Sequence, residues 1–122
     1  MSWELNNDRP IYAQIVERIQ IRIVSGFYPT GSKLPSVREL AAEAGVNPNT
    51  MQKAFMELER SGLLTTMRTS GRIVTEDEMM IREVKETIAK QEIEQFFKKM
   101  REIGFSQEQT MDLAKSVYKE EK

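Results

Sequence analysis

Residues 34–74 constrain this chain more than any other stretch, because they specify a succession of joints. They read LPSVRELAAEAGVNPNTMQKAFMELERSGLLTTMRTSGRIV. Ser36-x-x-Glu39 is a capping box that starts a helix, with Leu34-Pro35 leading into it. Ala41, Ala42 and Ala44 keep that helix thin enough for a second one to cross closely. Gly45-Val46-Asn47 forms the turn, with glycine free to take positive φ after the helix end. Asn47 caps the second helix and Pro48 fills its first position, where a missing N–H costs nothing. These joints together spell a helix-turn-helix.

In the second helix Met51, Ala54, Phe55 and Leu58 fall at i, i+3, i+4 and i+7, which makes them its buried stripe. Asn49, Gln52, Lys53, Met56 and Arg60 take the opposite face. Asn and Gln can address adenine bidentately in the major groove, and Lys can reach guanine or a phosphate. Gly62 is placed to end the helix. Residues 63–67 and 72–74 then read as two short strands around Arg68-Thr69-Ser70-Gly71, a basic-tipped wing. One polar helix face alone is ordinarily a solvated face. Helix, turn, helix and basic hairpin in succession favour nucleic acid.

At these residues the chain resembles the GntR superfamily of bacterial transcription regulators, and its short YtrA-like branch in particular. The resemblance is carried by Pro10-Ile11-Tyr12-x-Gln14-Ile15, by Ser25-Gly26, and by Pro29-x-Gly31-x-Lys33-Leu34-Pro35-Ser36-Val37-Arg38-Glu39-Leu40-Ala41. Gly45-Val46-Asn47-Pro48-Asn49-Thr50, Ala54-Phe55-x-x-Leu58-Glu59-x-x-Gly62-Leu63 and Gly71-x-x-Val74 complete it. It spans residues 10–74, and the Asn-Pro-Asn-Thr start of the second helix is the YtrA-like feature. The resemblance implies a winged helix-turn-helix that binds operator DNA as a dimer. It also implies repression of the regulator's own operon, often one encoding an ABC-type transporter. The family places an arginine against the DNA backbone at the position of Arg38. A cation in the first helical turn gains nothing from the helix dipole, which favours a role outside the fold. The competing assignment is an ion pair with Glu39, Glu43 or another acid. The wing departs from the family pattern, since Thr69 replaces a glycine and Ile73 an aromatic residue.

The expected DNA-binding set is therefore Arg38, Asn47, Asn49, Thr50, Gln52, Lys53, Arg68, Thr69, Ser70, Gly71 and Arg72. Arg38, Arg68 and Arg72 are expected to hold phosphates or the minor groove, and Asn49, Thr50, Gln52 and Lys53 to face the major groove.

Upstream, Trp3 and Leu5 suit a short strand or, better, a hydrophobic latch against the core. Asp8 and Pro10 are start signals for a first helix running to about Ser25, with Ile11, Ile15, Val16, Ile19 and Ile23 as its stripe. Gly26 stops it, and residues 27–31 form a turn with aromatic anchors. Tyr12 and Tyr28 are assigned to packing rather than to base stacking. Downstream, Thr75-x-x-Glu78 reads as another capping box, opening a helix to about Ile103 that would be ~40 Å long. Gly104 ends it, Phe105 packs back, and Ser106-x-x-Gln109 caps a last helix carrying Met111, Ala114, Val117 and Tyr118. Ile81, Val84, Ile88, Ile93, Phe96, Phe97, Met100, Met111 and Val117 are the expected dimerisation residues, with a second copy as the simplest cover for so much apolar surface. The methionines of this tail suit a forgiving interface more than a ligand pocket.

The expected architecture is thus mainly α with a small β-hairpin: a winged helix-turn-helix domain over residues 1–75, then a two-helix dimerisation tail over 76–122. The 122 residues carry a net charge of −1. Lys and Arg number 9 against 7 acids in residues 1–75, and 9 against 12 in residues 76–122. That split permits a mildly basic binding face and an acidic tail. There is no cysteine and no histidine, which removes a thiolate site, the usual general base and the usual zinc ligand. The absence of cysteine, of a membrane-span pattern and of a signal-peptide pattern suits a cytoplasmic protein. No catalytic residue, cofactor, metal or small-molecule effector is assigned. A winged-helix protein-interaction module is the alternative class, and a small enzyme has almost no support.

Overall fold

The computed structural model describes residues 3–69 and 71–121. Three helices build the first core: α1 (Ile11–Val24), α2 (Val37–Ala44) and α3 (Pro48–Ser61). The stripe of α1 is buried as its spacing requires, with Ile15, Ile19 and Ile23 at its centre. Pro10 is its N-cap without any side-chain cap bond. Asp8 therefore does not start the helix; its backbone N–H instead donates to Asn6 Oδ1 at 3.0 Å. Buried Gln14 fixes this N-terminal segment. Its amide nitrogen donates to the carbonyls of Asn6 (2.8 Å) and Arg9 (3.0 Å), and its oxygen accepts from Asn6 N at 3.0 Å. A buried amide left unpaired would cost about 1–3 kcal/mol, so these bonds set how the chain enters the fold. Trp3 is held in the core, with Leu5 packed against it, as a latch does.

The helix-turn-helix follows its expected joints. Ser36 Oγ accepts from Glu39 N at 3.1 Å, while Glu39 Oε1 accepts from Ser36 N at 2.9 Å. Gly45 takes φ 77°, and its N–H donates to the Ala41 carbonyl. Asn47 Oδ1 accepts from Asn49 N at 2.7 Å, with Pro48 opening α3. Ala41 and Ala44 are buried; Ala42 is exposed, so two small residues rather than three serve the crossing. Met51, Ala54, Phe55 and Leu58 form the buried face of α3.

After α3, β1 (Leu64–Met67) and β2 (Gly71–Val74) pair antiparallel, with Leu64 opposite Val74 and Met67 opposite Gly71. Leu64 and Val74 are buried at the base, which roots the hairpin in the core. The chain ahead of α2 runs along the other edge of β2. Val74 N donates to Ser32 O at 2.8 Å and Leu34 N to Arg72 O at 2.9 Å, and Lys33 bridges Ile73.

The next helix, α4 (Glu78–Ile103), starts differently from the expected Thr75-x-x-Glu78 box. Asp77 Oδ1 accepts from Met80 N at 3.1 Å and is the cap, while Thr75 Oγ1 accepts from Asp77 N. The Thr75 N–H donates to Leu63 O at 2.9 Å, prolonging the sheet edge, so it is not free for the reciprocal bond of a capping box with Glu78. Met80, Ile81 and Val84 then pack, partly buried, against the first core. The first compact unit runs to Lys85. Ile81 and Val84, expected among the dimerisation residues, already have an apolar partner within this unit.

The second unit begins at Glu86 and contains the rest of α4 and α5 (Gln107–Glu120). Gly104 at φ 109° ends α4, with Phe105 N donating to Met100 O at 2.9 Å. Ser106 and Gln109 form the capping box of α5. No residue of α4 is buried, and Ile93, Phe96, Ile103, Met111, Leu113 and Val117 are all exposed. Ile88, Phe97 and Met100 are partly covered. Among the described residues no helix is long and apolar enough to cross a membrane.

Candidate nucleic-acid interface

The N-termini of α2 and α3 and the base of the wing surround one groove. Leu34 and Phe55 contribute its apolar floor; Arg38, Asn49 and Gln52 line it from the two helices. Helix N-termini carry partial positive charge and free N–H groups, which suits an anionic backbone.

Arg38 is exposed, and among the described residues it makes no ion pair. The two acids named as its candidate partners, Glu39 and Glu43, are engaged elsewhere. Glu39 is bound into the capping box, and its hydrogen bonds with the Ser36 backbone and side chain hold its carboxyl below the usual carboxylate range. Glu43 accepts from Trp3 Nε1 at 2.9 Å and pairs with Arg22 at 2.7 Å, which lowers its pKa too, the indole bond being the larger cause. The guanidinium of Arg38 is thereby left to solvent or to a ligand.

The α3 residues separate by position around the helix. Asn49 and Gln52 reach the groove. Lys53 is exposed, its Nζ 4.0 Å from the centre of the Tyr12 ring, so Tyr12 packs from α1 and steadies a cation. Thr50, about 100° around the helix from Asn49, lies half-buried beside a second cleft formed with Trp3, Leu5 and Val46. Asn47 spends its side-chain oxygen on the α3 cap.

The wing residues separate as well. Arg68 and Thr69 are exposed near the tip, and Ser70 lies outside the described residues. Gly71 has φ 79°, a conformation that L side chains rarely adopt. Arg72 lines the same groove, but its guanidinium is partly engaged within the protein. Its Nη2 lies 3.3 Å from Glu59 Oε1, its guanidinium is 5.3 Å from the Phe55 ring centre, and its Nε is buried without an acceptor. The neighbouring acid on α3 and the aromatic floor hold it there. Lys33, which carried no assigned role, is exposed and lines the groove beside Gly71. Its sequence signals are a place in the resemblance-bearing stretch 29–41 and its position as a cation directly ahead of the Leu34-Pro35 entry to α2.

Helix-turn-helix, protruding polar start of α3, rooted two-stranded wing and unpaired arginine at the groove define a winged-helix DNA-binding domain. Residues 11–74 match the family described as "Bacterial regulatory proteins, gntR family". The chain is 37% identical over 112 residues to the "Uncharacterized HTH-type transcriptional regulator YhcF" of Bacillus subtilis, covering 92% of this chain and 93% of that protein. It is 41% identical over 87 residues to the "HTH-type transcriptional repressor YtrA" of the same organism, covering 70% and 67% respectively. A "GntR family transcriptional regulator from Listeria monocytogenes" superposes with a TM-score of 0.82 at 41% identity, over 92% of this chain and 98% of that one. "AraR(DBD) in complex with operator ORX1" superposes with a TM-score of 0.53 at 29% identity, over 62% and 99%. The chain belongs to the GntR family of bacterial transcription regulators, and to its short YtrA-like branch.

Proposed function

We propose that this regulator is a repressor that binds a near-palindromic operator as a homodimer. In this reading the two copies of α3 enter successive major grooves, about 34 Å apart along the duplex. Arg38 and Arg68 hold phosphates or the minor groove, and Asn49, Gln52 and Lys53 address base edges. The observation that carries the reading is the unpaired Arg38 beside Asn49 and Gln52 on one groove. Operator binding in the AraR complex and the repressor designation of the Bacillus YtrA support it. The exposed apolar residues of the second unit, Ile93, Phe96, Met111 and Val117 foremost, support the dimer. A transporter operon under the regulator's own control is the target that the resemblance implies.

The test is duplex binding against salt. A specific complex weakens steeply as salt rises, because each neutralised phosphate releases counterions. A winged-helix protein-interaction module would retain no duplex at any salt concentration.

A further inference from the structure

We propose that Lys33, and not Arg72, is the cation with which the base of the wing grips a phosphate. This rests on the DNA-binding reading above and concerns a residue that reading leaves out.

Arg72 borders the groove too, but its guanidinium already has partners within the protein. It is paired with Glu59, lies over Phe55 and has a buried Nε, so swinging it outward would strand a half-buried carboxylate. Lys33 lines the same groove without such partners. Its side chain is exposed, and among the described residues no acid pairs with it. The nearby Glu39 is held by the Ser36 cap. The Lys33 backbone is pinned on both sides, by Val74 N to Ser32 O and by Leu34 N to Arg72 O, so the stem leaves a fixed point on the edge of β2. Its Cε lies 3.4 Å from where a Cβ on Gly71 would stand. The lysine stem thus lies within van der Waals reach of the wing base, beside the groove that Arg38 lines.

An ammonium on a flexible stem is a hydrated point charge, which suits a phosphate oxygen and carries no base preference. Lys33 accordingly contributes affinity to every duplex alike.

The experiment measures log K against log salt for the full chain and its variants K33Q, K33R, R72M and R38A, on operator and scrambled duplexes, with thermal melts alongside. For K33Q the slope becomes shallower by about 0.9 per subunit, so a fourfold rise in salt costs it about 3.5-fold less affinity per subunit than wild type. The loss is equal on both duplexes, and K33R restores the slope. R72M melts lower and keeps the wild-type slope; if it does not fold, the K33Q and K33R pair decides. A K33Q slope equal to wild type, with R38A still shallower, overturns the role of Lys33 and leaves the DNA-binding reading standing. A wild-type protein that retains no duplex overturns both.

Discussion

The indole Nε1 of Trp3 donates to Glu43 Oε2 at 2.9 Å, joining residues 40 positions apart. The same carboxylate pairs with Arg22 at 2.7 Å, and Arg22 donates to Tyr28 Oη at 2.6 Å. The Arg22 guanidinium lies 4.8 Å from the Trp3 ring centre and 4.9 Å from that of Phe27. One charge-assisted cluster thus ties the N-terminal segment, α1 and its following turn to the outer side of α2.

Trp3 should therefore contribute stability well beyond that of an ordinary terminal residue. Trp3→Ala removes buried aromatic area and leaves a gap, and is expected to lower unfolding free energy by about 3 kcal/mol. Trp3→Phe retains most of the packing and should cost less. Urea denaturation followed by circular dichroism checks both, since the substitution deletes the lone tryptophan fluorophore.

The pH dependence follows from Glu43. Its folded-state pKa lies below the usual carboxylate value because of the bonds from Trp3 and Arg22. Protons bind the unfolded state more readily, so the contribution is complete above the ordinary carboxylate range and is lost as pH falls through the lowered folded value. Glu43 is partly exposed, which keeps the amplitude modest. Thermal midpoints of wild type and Glu43→Gln should differ by a constant amount at neutral pH and converge in acid. A gap that widens on acidification would contradict the assignment.

The capping residues and turns were legible in sequence because their bonds are local: Ser36 with Glu39, Asn47 with Asn49, Ser106 with Gln109. What escaped depends on tertiary neighbours. Arg72 reads as a wing cation until Glu59, 13 residues upstream, is seen to claim it. Lys33 gains meaning only once its segment runs beside β2. Thr75 has the form of a cap, but its N–H belongs to the sheet edge. The apolar stripe of α4 steps by five residues from Ile88 to Ile93 and so turns to another face; Ile81 and Val84 meet the first core while Ile93 and Phe96 are exposed. Periodicity identifies the stripe and is silent about what covers it.

Arg38 and Gln52 should fail in different ways when truncated. Arg38→Ala is expected to weaken binding to all duplexes by a similar factor and to flatten the salt dependence. Gln52→Ala should cost about 1–3 kcal/mol on the operator and much less on scrambled sequence, relaxing base preference at one position. Anisotropy titrations on a panel of single-base operator variants separate the two patterns. Equal losses on every sequence for Gln52→Ala would reject its base-reading role.

Phe96 tests the dimer. It is 45% exposed on α4 and touches Phe97 at a centroid distance of 5.8 Å. Phe96→Asp should leave the melting of the first unit unchanged, convert the sedimenting species to monomer and abolish tight operator binding. A variant that still sediments as a dimer would move the interface elsewhere.

Selection of bound fragments from the source genome tests the central claim most directly. The account predicts enrichment of fragments sharing a near-palindrome whose half-sites are separated by about one helical repeat, 10–10.5 base pairs, or a multiple of it. Fragments retained in proportion to their length alone, with no shared sequence, would contradict it.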